Sequence, residues 1–553
     1  MKIKRILFCL FSMLLNDALG QYTSDASLNT LVSSNSSSAD LSASAVSMCT
    51  NKTYIAFNTG SEIRVQLLDA DGNKMFGSEG VLLTQYHFSY TMVFQISIKI
   101  DANDNALIAL TNLDVNTGNS YIDFFVVNNK GKIVKNEMAS NNGMNPILTP
   151  LHTGEFILAW TNGGQTGIQI IDKKFNFKFP SPKTHHDEVS GICVLPDNQF
   201  YMVLNKDIQV VAMTITTVML FDSDANPQWP LNVQLCSHNA SSVPTAKPSL
   251  ALSSSNELYV SNSYFDGGFA DRNPRLQCID LTGAIKFGID GIQMKGNSNL
   301  NYHQRTQLSV DAAGNIIVVY EAKFEDFTLS YPKSIYMHKF TPSGNSFYGT
   351  YGKILVQTNT DPFFLQFQPC GQTYKMAYFE ETTQNIKLLE FDTSGAALGT
   401  EALCLTSDKR NYSSCTLNQP NDGKMIFVFN GSKNGNNAIL AQRTLCFSEK
   451  HECNQNNNTD KNSFFIPNVF TPNGDGYNDE FELVLEGYEV ENMMIFNRWG
   501  EKIFVSSDKA KKWDGSTTNG ALASPSTYYY QIKLKQESSN EISNHQGFIM
   551  LLN

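Results

Sequence analysis

The residues best suited to chemistry stand at a few places along the chain. His185, His186, Asp187 and Glu188 form its densest run of titratable side chains. An imidazole beside a carboxylate can relay protons, and several such groups together can hold a metal ion. Pro182 and Lys183 next to them mark a loop, so a solvated connection between elements is the competing reading. Two longer stretches, 263–275 and 323–333, mix aromatic with charged residues, among them Asp266, Asp271, Glu325 and Asp326. Long loops of that composition suit a glycan or a protein partner. Nearer the end of the chain, Asn473, Gly474, Asp475, Gly476, Asn478 and Asp479 pack oxygen donors at short spacing. Asp475, Asn478 and Asp479 would be the metal ligands if this segment took calcium. The regular Asp alternation and distal Glu of a calcium loop are missing, so a turn closed by its own Asx hydrogen bonds is the simpler reading.

No HExxH, GxSxG or Walker sequence occurs, and no catalytic residue is assigned. The side chains at 185–187, 266, 271, 325 and 326 are expected to reach solvent on separate loops, and no cofactor is expected beyond that calcium alternative.

The elements that would carry these loops repeat. An alternating apolar strand ending in a turn recurs, as in IRVQLLDADG, IDFFVVNNKG and LQCIDLTG. Its first turn residue falls at Asp69, Asn128, Asp172, Asp222, Asp280, Thr341 and Asp392, between 44 and 61 residues apart. A weaker eighth copy, AILAQRTLC, starts at Ala438 and lacks the turn. A second apolar run precedes each copy. One unit therefore reads as four antiparallel strands, the signature of a β-propeller blade. The fold class is all-β, with about eight blades, or seven if the last copy is incomplete. Ser27–Ser33 is expected to supply the missing strand of the eighth blade, with Ser33–Ser44 as a loop after it. The domain spans 21–450, and the polar segment 451–462 reads as a linker.

From 463 to 553 the pattern changes to short alternating strands and turn clusters, which predicts a small β-sandwich of immunoglobulin-like form. Its motifs are Pro472 through Asp479, then Asn497-Arg498-Trp499-Gly500, then Trp513-Asp514-Gly515, then Tyr528-Tyr529-Tyr530, then a terminal GFIMLLN. In that order they resemble the gliding motility-associated C-terminal domain, the type B sorting domain of the type IX secretion system of Bacteroidota-type bacteria. The resemblance implies a partner in the type IX secretion machinery, passage through the periplasm, and display at the outer cell surface or release. Ser526-Thr527 before the tyrosines and the final Asn553 depart from the family's usual glycine and basic end.

The other end agrees. Basic residues at Lys2, Lys4 and Arg5, the apolar run Ile6–Leu15 and the small residues near Gly20 read as a signal peptide over 1–20. No later apolar run is long enough to span a bilayer. The formal net charge of -11 argues against a nucleic-acid partner. Ten cysteines without a CxxC pair exclude a zinc ribbon. The functional expectation is a secreted or surface-displayed propeller of the binding or adhesion type. Its alternative is a secreted hydrolase or lyase acting on extracellular polysaccharide from the propeller channel.

Overall fold

A computed structural model describes residues 30–33, 42–46, 50–59, 62–85, 95–114, 117–208, 213–241, 248–268, 271–295, 302–323, 333–358, 362–370, 373–380, 385–405, 415–418, 424–433, 436–445, 463–466, 469–472, 479–507, 512–537, 540 and 542–551. The predicted signal peptide and linker lie outside these residues, as do 324–332 and 473–478. The chain divides into two compact units, Met1–Cys453 and Asn454–Asn553. Every element assigned is a strand.

The first unit is an eight-bladed propeller. The first blade pairs Ser42–Val46, Thr53–Asn58, Glu62–Leu68 and Val81–Gln85 in sequence order. The same four-strand order follows in 96–140, 144–186, 188–234, 249–293, 302–358 and 362–405. The eighth blade has only Cys415–Asn418, Lys424–Lys433 and Asn436–Leu445 from its own stretch of chain. Its fourth strand is Thr30–Ser33, which pairs antiparallel with the last of these, Thr30 opposite Ala441. The expected clasp thus exists, and Val32 from it is buried with Ile55, Phe57, Ile426 and Ile439. The expected loop Ser33–Ser44 is shorter than predicted, because Ser42–Val46 is already the innermost strand of the first blade.

Burial follows the blade logic. One four-stranded sheet cannot cover both of its faces, so the second and third strands read as continuous apolar runs with neighbours on both sides. Tyr54 and Val65 of the first blade pack with Ile96, Ile108 and Phe125 of the second. The contact recurs at the next seam, where Phe124 meets Leu158 and Trp160. A Cβ at Gly167 would come within 2.4 Å of the Trp160 ring, so that close approach requires glycine. Successive inner strands lie against one another, and Cys415–Asn418 lies against Ser42–Val46. The ring is therefore closed around a central channel. Extra pairings, Ala240 with Tyr264 and Arg272 with Tyr302, stitch the fourth, fifth and sixth blades together.

Two devices repeat inside the blades. The Asp-x-x-Gly segments are tight turns that fasten themselves. Asp69 Oδ1 accepts from the N–H groups of Asp71 and Asn73, and the Gly72 N–H donates to the Asp69 carbonyl. Asp172, Asp222, Asp280 and Asp392 repeat the arrangement. In addition, in three blades a buried glutamine three residues before the turn bonds the segment that leads to the outer strand. The side chains of Gln66, Gln169 and Gln277 donate to the carbonyls of Gly77, Phe179 and Gly288.

The second unit pairs Ser463–Phe465 with Val484–Glu486, beside a five-stranded sheet of Val469–Phe470, Ile542–Leu551, Ser526–Gln536, Tyr488–Phe496 and Lys502–Ser506. The small sandwich is mixed rather than wholly antiparallel, since Val469–Phe470 runs parallel to Ile542–Leu551.

Candidate functional site

The structure moves the predicted 185–188 cluster off its loop. Lys183–His186 is the outer strand of the third blade and Glu188–Val194 the inner strand of the fourth, with Asp187 at φ 69 as the hinge between them. His186 is exposed, but His185 is half-buried and its ring meets Phe221 edge-on at 5.2 Å. His185 Nε2 lies 2.9 Å from Asn232 Oδ1, and Asn232 Nδ2 donates to Asp187 Oδ2 at 2.9 Å. Because the asparagine oxygen can only accept, the imidazole donates to it. Burial lowers the His185 pKa, partly offset by that bond. The imidazole and carboxylate are thus joined through an amide that ties two blades together. The expectation that these side chains would stand free in solvent fails for His185 and Asp187, because the blade seam engages both.

A second cluster escaped the sequence reading. Ser237 and His238 follow the outer strand of the fourth blade, while Arg275 and Asp290 belong to the fifth. The Ser237 hydroxyl donates to Asp290 Oδ1. That bond is the main reason the Asp290 pKa is lowered. His238 Nε2 lies 3.3 Å from Arg275 Nη2, and its Nδ1 lies 3.1 Å from the Phe265 carbonyl. Arginine only donates, so Nε2 accepts and Nδ1 donates. The residue types are those of a nucleophilic triad, but the serine bonds the aspartate instead of the histidine. The arrangement braces the seam. Its members are up to 53 residues apart, and no local pattern announces them.

The expected long loop 263–275 is a hairpin arm. Leu258–Gly268 pairs with Asp271–Ile279, with Tyr264 opposite Asn273 and Phe265 opposite Arg272. Tyr264 and Phe265 are 2% and 6% exposed, so these aromatics serve the core. The Arg272 guanidinium lies 4.5 Å over the Phe265 ring. The backbones of Asp266 and Asp271 lie in this hairpin arm. Glu325 and Asp326 lie outside the described residues.

In the C-terminal domain the motif residues separate into builders and displayed groups. Trp513 is fully buried against Phe470 and Tyr528, and its indole N–H donates to the Ser516 carbonyl at 2.8 Å. The Tyr528 hydroxyl donates to the Ser524 carbonyl, and Tyr530 also packs on the core. The Asp514 carboxylate accepts from the Ser516 N–H. Gly515 has φ 83, and a Cβ there would press on Leu551 and Pro472 at 3.2 Å. Asn497 Oδ1 accepts from the N–H groups of Trp499 and Glu501, and Gly500 takes φ 82. This is the propeller's turn again, used here to lift Trp499 to 81% exposure. Arg498 donates to Ser526 Oγ at 2.6 Å and lies 5.2 Å from the Trp499 ring. Phe496, Tyr529 and Phe548 stand in register across three strands. Tyr529 and Phe548 are 50% and 44% exposed, so an aromatic stripe crosses the outer sheet face.

Of the predicted calcium ligands, Asp475 and Asn478 lie outside the described residues, as do Asn473, Gly474 and Gly476. Asp479 is described and engaged. Among the described residues no group of three His, Cys, Asp or Glu side chains is placed to hold a metal ion, and no helix is long and apolar enough to cross a membrane.

Comparison with solved structures finds distant likenesses. A polysaccharide lyase shares 8% identity over 66% of this chain and 92% of its own, with a TM-score of 0.41. A protein of unknown function from Dyadobacter fermentans shares 10% over 64% and 95%, with a TM-score of 0.38. The β-propeller domain of a trilobed protease from Pyrococcus furiosus gives the same 10%, 64%, 95% and 0.38. No curated protein matches the chain. For the C-terminal unit a family does match: residues 464–551 fit the CHU_C Type IX secretion signal domain.

Proposed function

We propose that this chain is an eight-bladed extracellular binding module, carried out of the cell by the type IX secretion machinery and displayed at the surface or released. The observation that carries the reading is the secretion-signal match over 464–551. Such a signal must be legible to its receptor, and the exposed Trp499, Tyr529 and Phe548 supply a readable surface on an otherwise ordinary small sandwich. The propeller is the cargo. Its two richest titratable clusters, around His185 and His238, are spent on joining blades, which favours binding over turnover. The extracellular ligand is a glycan or a protein.

The test of the binding half is a screen of the purified mature protein against polysaccharide, ester and peptide substrates, run beside retention on immobilised glycans. Retention without turnover is expected. A robust activity abolished by His185→Ala or His238→Ala would replace this reading with the hydrolase or lyase.

A further inference from the structure

The outer rim of the propeller carries one strand whose charges are complementary to themselves. Ile133–Ser140 is the fourth strand of the second blade, and among the described residues it pairs only with Asn119–Val127. Its other edge presents backbone N–H and C=O groups to solvent, the template on which a further strand adds. Side chains along it alternate between half-buried and exposed. Val134 and Met138 are 44% and 54% exposed, so two apolar side chains flank the exposed Asn136. Lys135 and Glu137 share the opposite face and pair with each other at 2.7 Å. Bulges at Val134 and Ala139 bound a regular run, 135–138.

A lysine on an edge strand ordinarily keeps copies of a protein apart. Here a carboxylate two residues on cancels it. The outer strands of the other blades carry no such pair. Val81–Gln85, Val233–Gln234, Ile292–Gln293 and Thr30–Ser33 have neither a lysine nor a carboxylate. Lys183–His186 and Lys353–Thr358 have a lysine without a carboxylate, and Ala397–Leu405 has Glu401 without a cation. The order Val134, Lys135, Asn136, Glu137, Met138 decides what can dock. Laid antiparallel on a second copy of itself about Asn136, the strand sets Lys135 against the partner's Glu137 and Glu137 against the partner's Lys135. Val134 then lies against the partner's Met138 on the other face. Directly opposed side chains sit about 4.5–5.5 Å apart, close enough for both kinds of contact. The internal and the crossed pairs together make a ring of four alternating charges. Centring the pairing on Lys135 or on Glu137 sets like charges opposite, and so does a parallel alignment in register. One arrangement survives, and it has the two-fold symmetry of a closed dimer.

We infer that the mature chain self-associates through this edge, two copies joining residues 134–138 as antiparallel strands. The contact is short, so the dimer is weak and falls apart as salt rises. Sedimentation velocity of the full mature protein across the micromolar range, at low salt, tests it. The mean mass should climb from one chain toward two as concentration increases. Glu137→Lys and Lys135→Glu should each move that climb to roughly tenfold higher concentration, because each sets like charges opposite. Mixed in equal amounts, the two variants should associate as the parent does, since each then meets its complement. The double variant Lys135→Glu/Glu137→Lys should do so by itself. Melting temperatures equal to the parent's verify that the variants fold. A parent that stays one chain at every concentration overturns the inference and leaves the edge to a strand of another protein. A dimer that both single variants form unchanged overturns it too, by placing the contact on another face. So do single variants that fail to associate alone and fail again when mixed.

Discussion

Residue by residue, the sequence motifs do two jobs that one-dimensional spacing cannot separate. Trp499 and Trp513 are both motif tryptophans, yet one is 81% exposed and the other is fully buried. The difference arises from where the strands place them: Trp499 sits on a turn, while Trp513 bridges Phe481 beneath the sheet. Trp499→Ala should leave the melting temperature nearly unchanged and lower the exported fraction several-fold. Trp513→Ala should cost about 3–5 kcal/mol, the scale for emptying an aromatic core site. Thermal melts of the isolated variants beside fractionation of cells would show it. Equal export by Trp499→Ala and the parent would remove the displayed face from the account. The Asp-x-x-Gly turns were legible because their bonding is local. In Asp392 the Ser394 hydroxyl and the Ala396 N–H hold the carboxyl below its usual range. The turn also explains two exceptions to glycine at its left-handed position. Phe175 at φ 67 and Ala225 at φ 56 keep side chains that pack against the core between blades.

At the level of the element, strands were legible and their partners were not. Apolar alternation located the second and third strands of most blades. It turned residues 263–275, the outer part of the hairpin arm 258–279, into a loop, because the polar residues there break the pattern although the arm stays paired. The buried glutamine before three of the turns was likewise invisible, since its partners lie about ten residues on, in the segment leading to the outer strand. In the sixth blade His338 takes that glutamine's place. It is 1% exposed, its Nε2 reaches the Lys295 carbonyl at 3.3 Å, and Tyr320 and Phe340 stack on it. Its Nδ1 has no partner among the described residues. Burial pushes its pKa down to about 4 from 6.5. A base held neutral in the folded state contributes fully above its unfolded pKa, and that contribution is lost as pH falls from 6.5 toward 4. The loss is on the order of 3 kcal/mol at the seam of the fifth and sixth blades. His338→Gln keeps a donor for Lys295 and removes the titration. Denaturation midpoints measured between pH 7 and pH 4.5 should fall less steeply for His338→Gln than for the parent. Parallel curves would mean that His338 does not set the acid sensitivity.

Across the whole molecule, the repeat period predicted the ring and the short eighth copy predicted its closure. Both are properties of the chain that survive without knowing any side-chain contact. The eight-bladed count follows once Thr30–Ser33 is seen to complete the last sheet. The candidate sites were less legible, because propeller clusters are assembled from different blades. Ser237 and Asp290 meet across 53 residues. The C-terminal signal was the most legible part, since its motifs are consecutive within one small domain. It also carries the central claim, that residues 463–553 send the propeller out of the cell. The most direct measurement is paired fractionation: the chain lacking 463–553, and a reporter bearing only a signal peptide and those residues. The truncated propeller should accumulate in the periplasm while the reporter appears at the surface or in the medium. Normal surface display of the truncated propeller, with the reporter retained inside, would contradict the account.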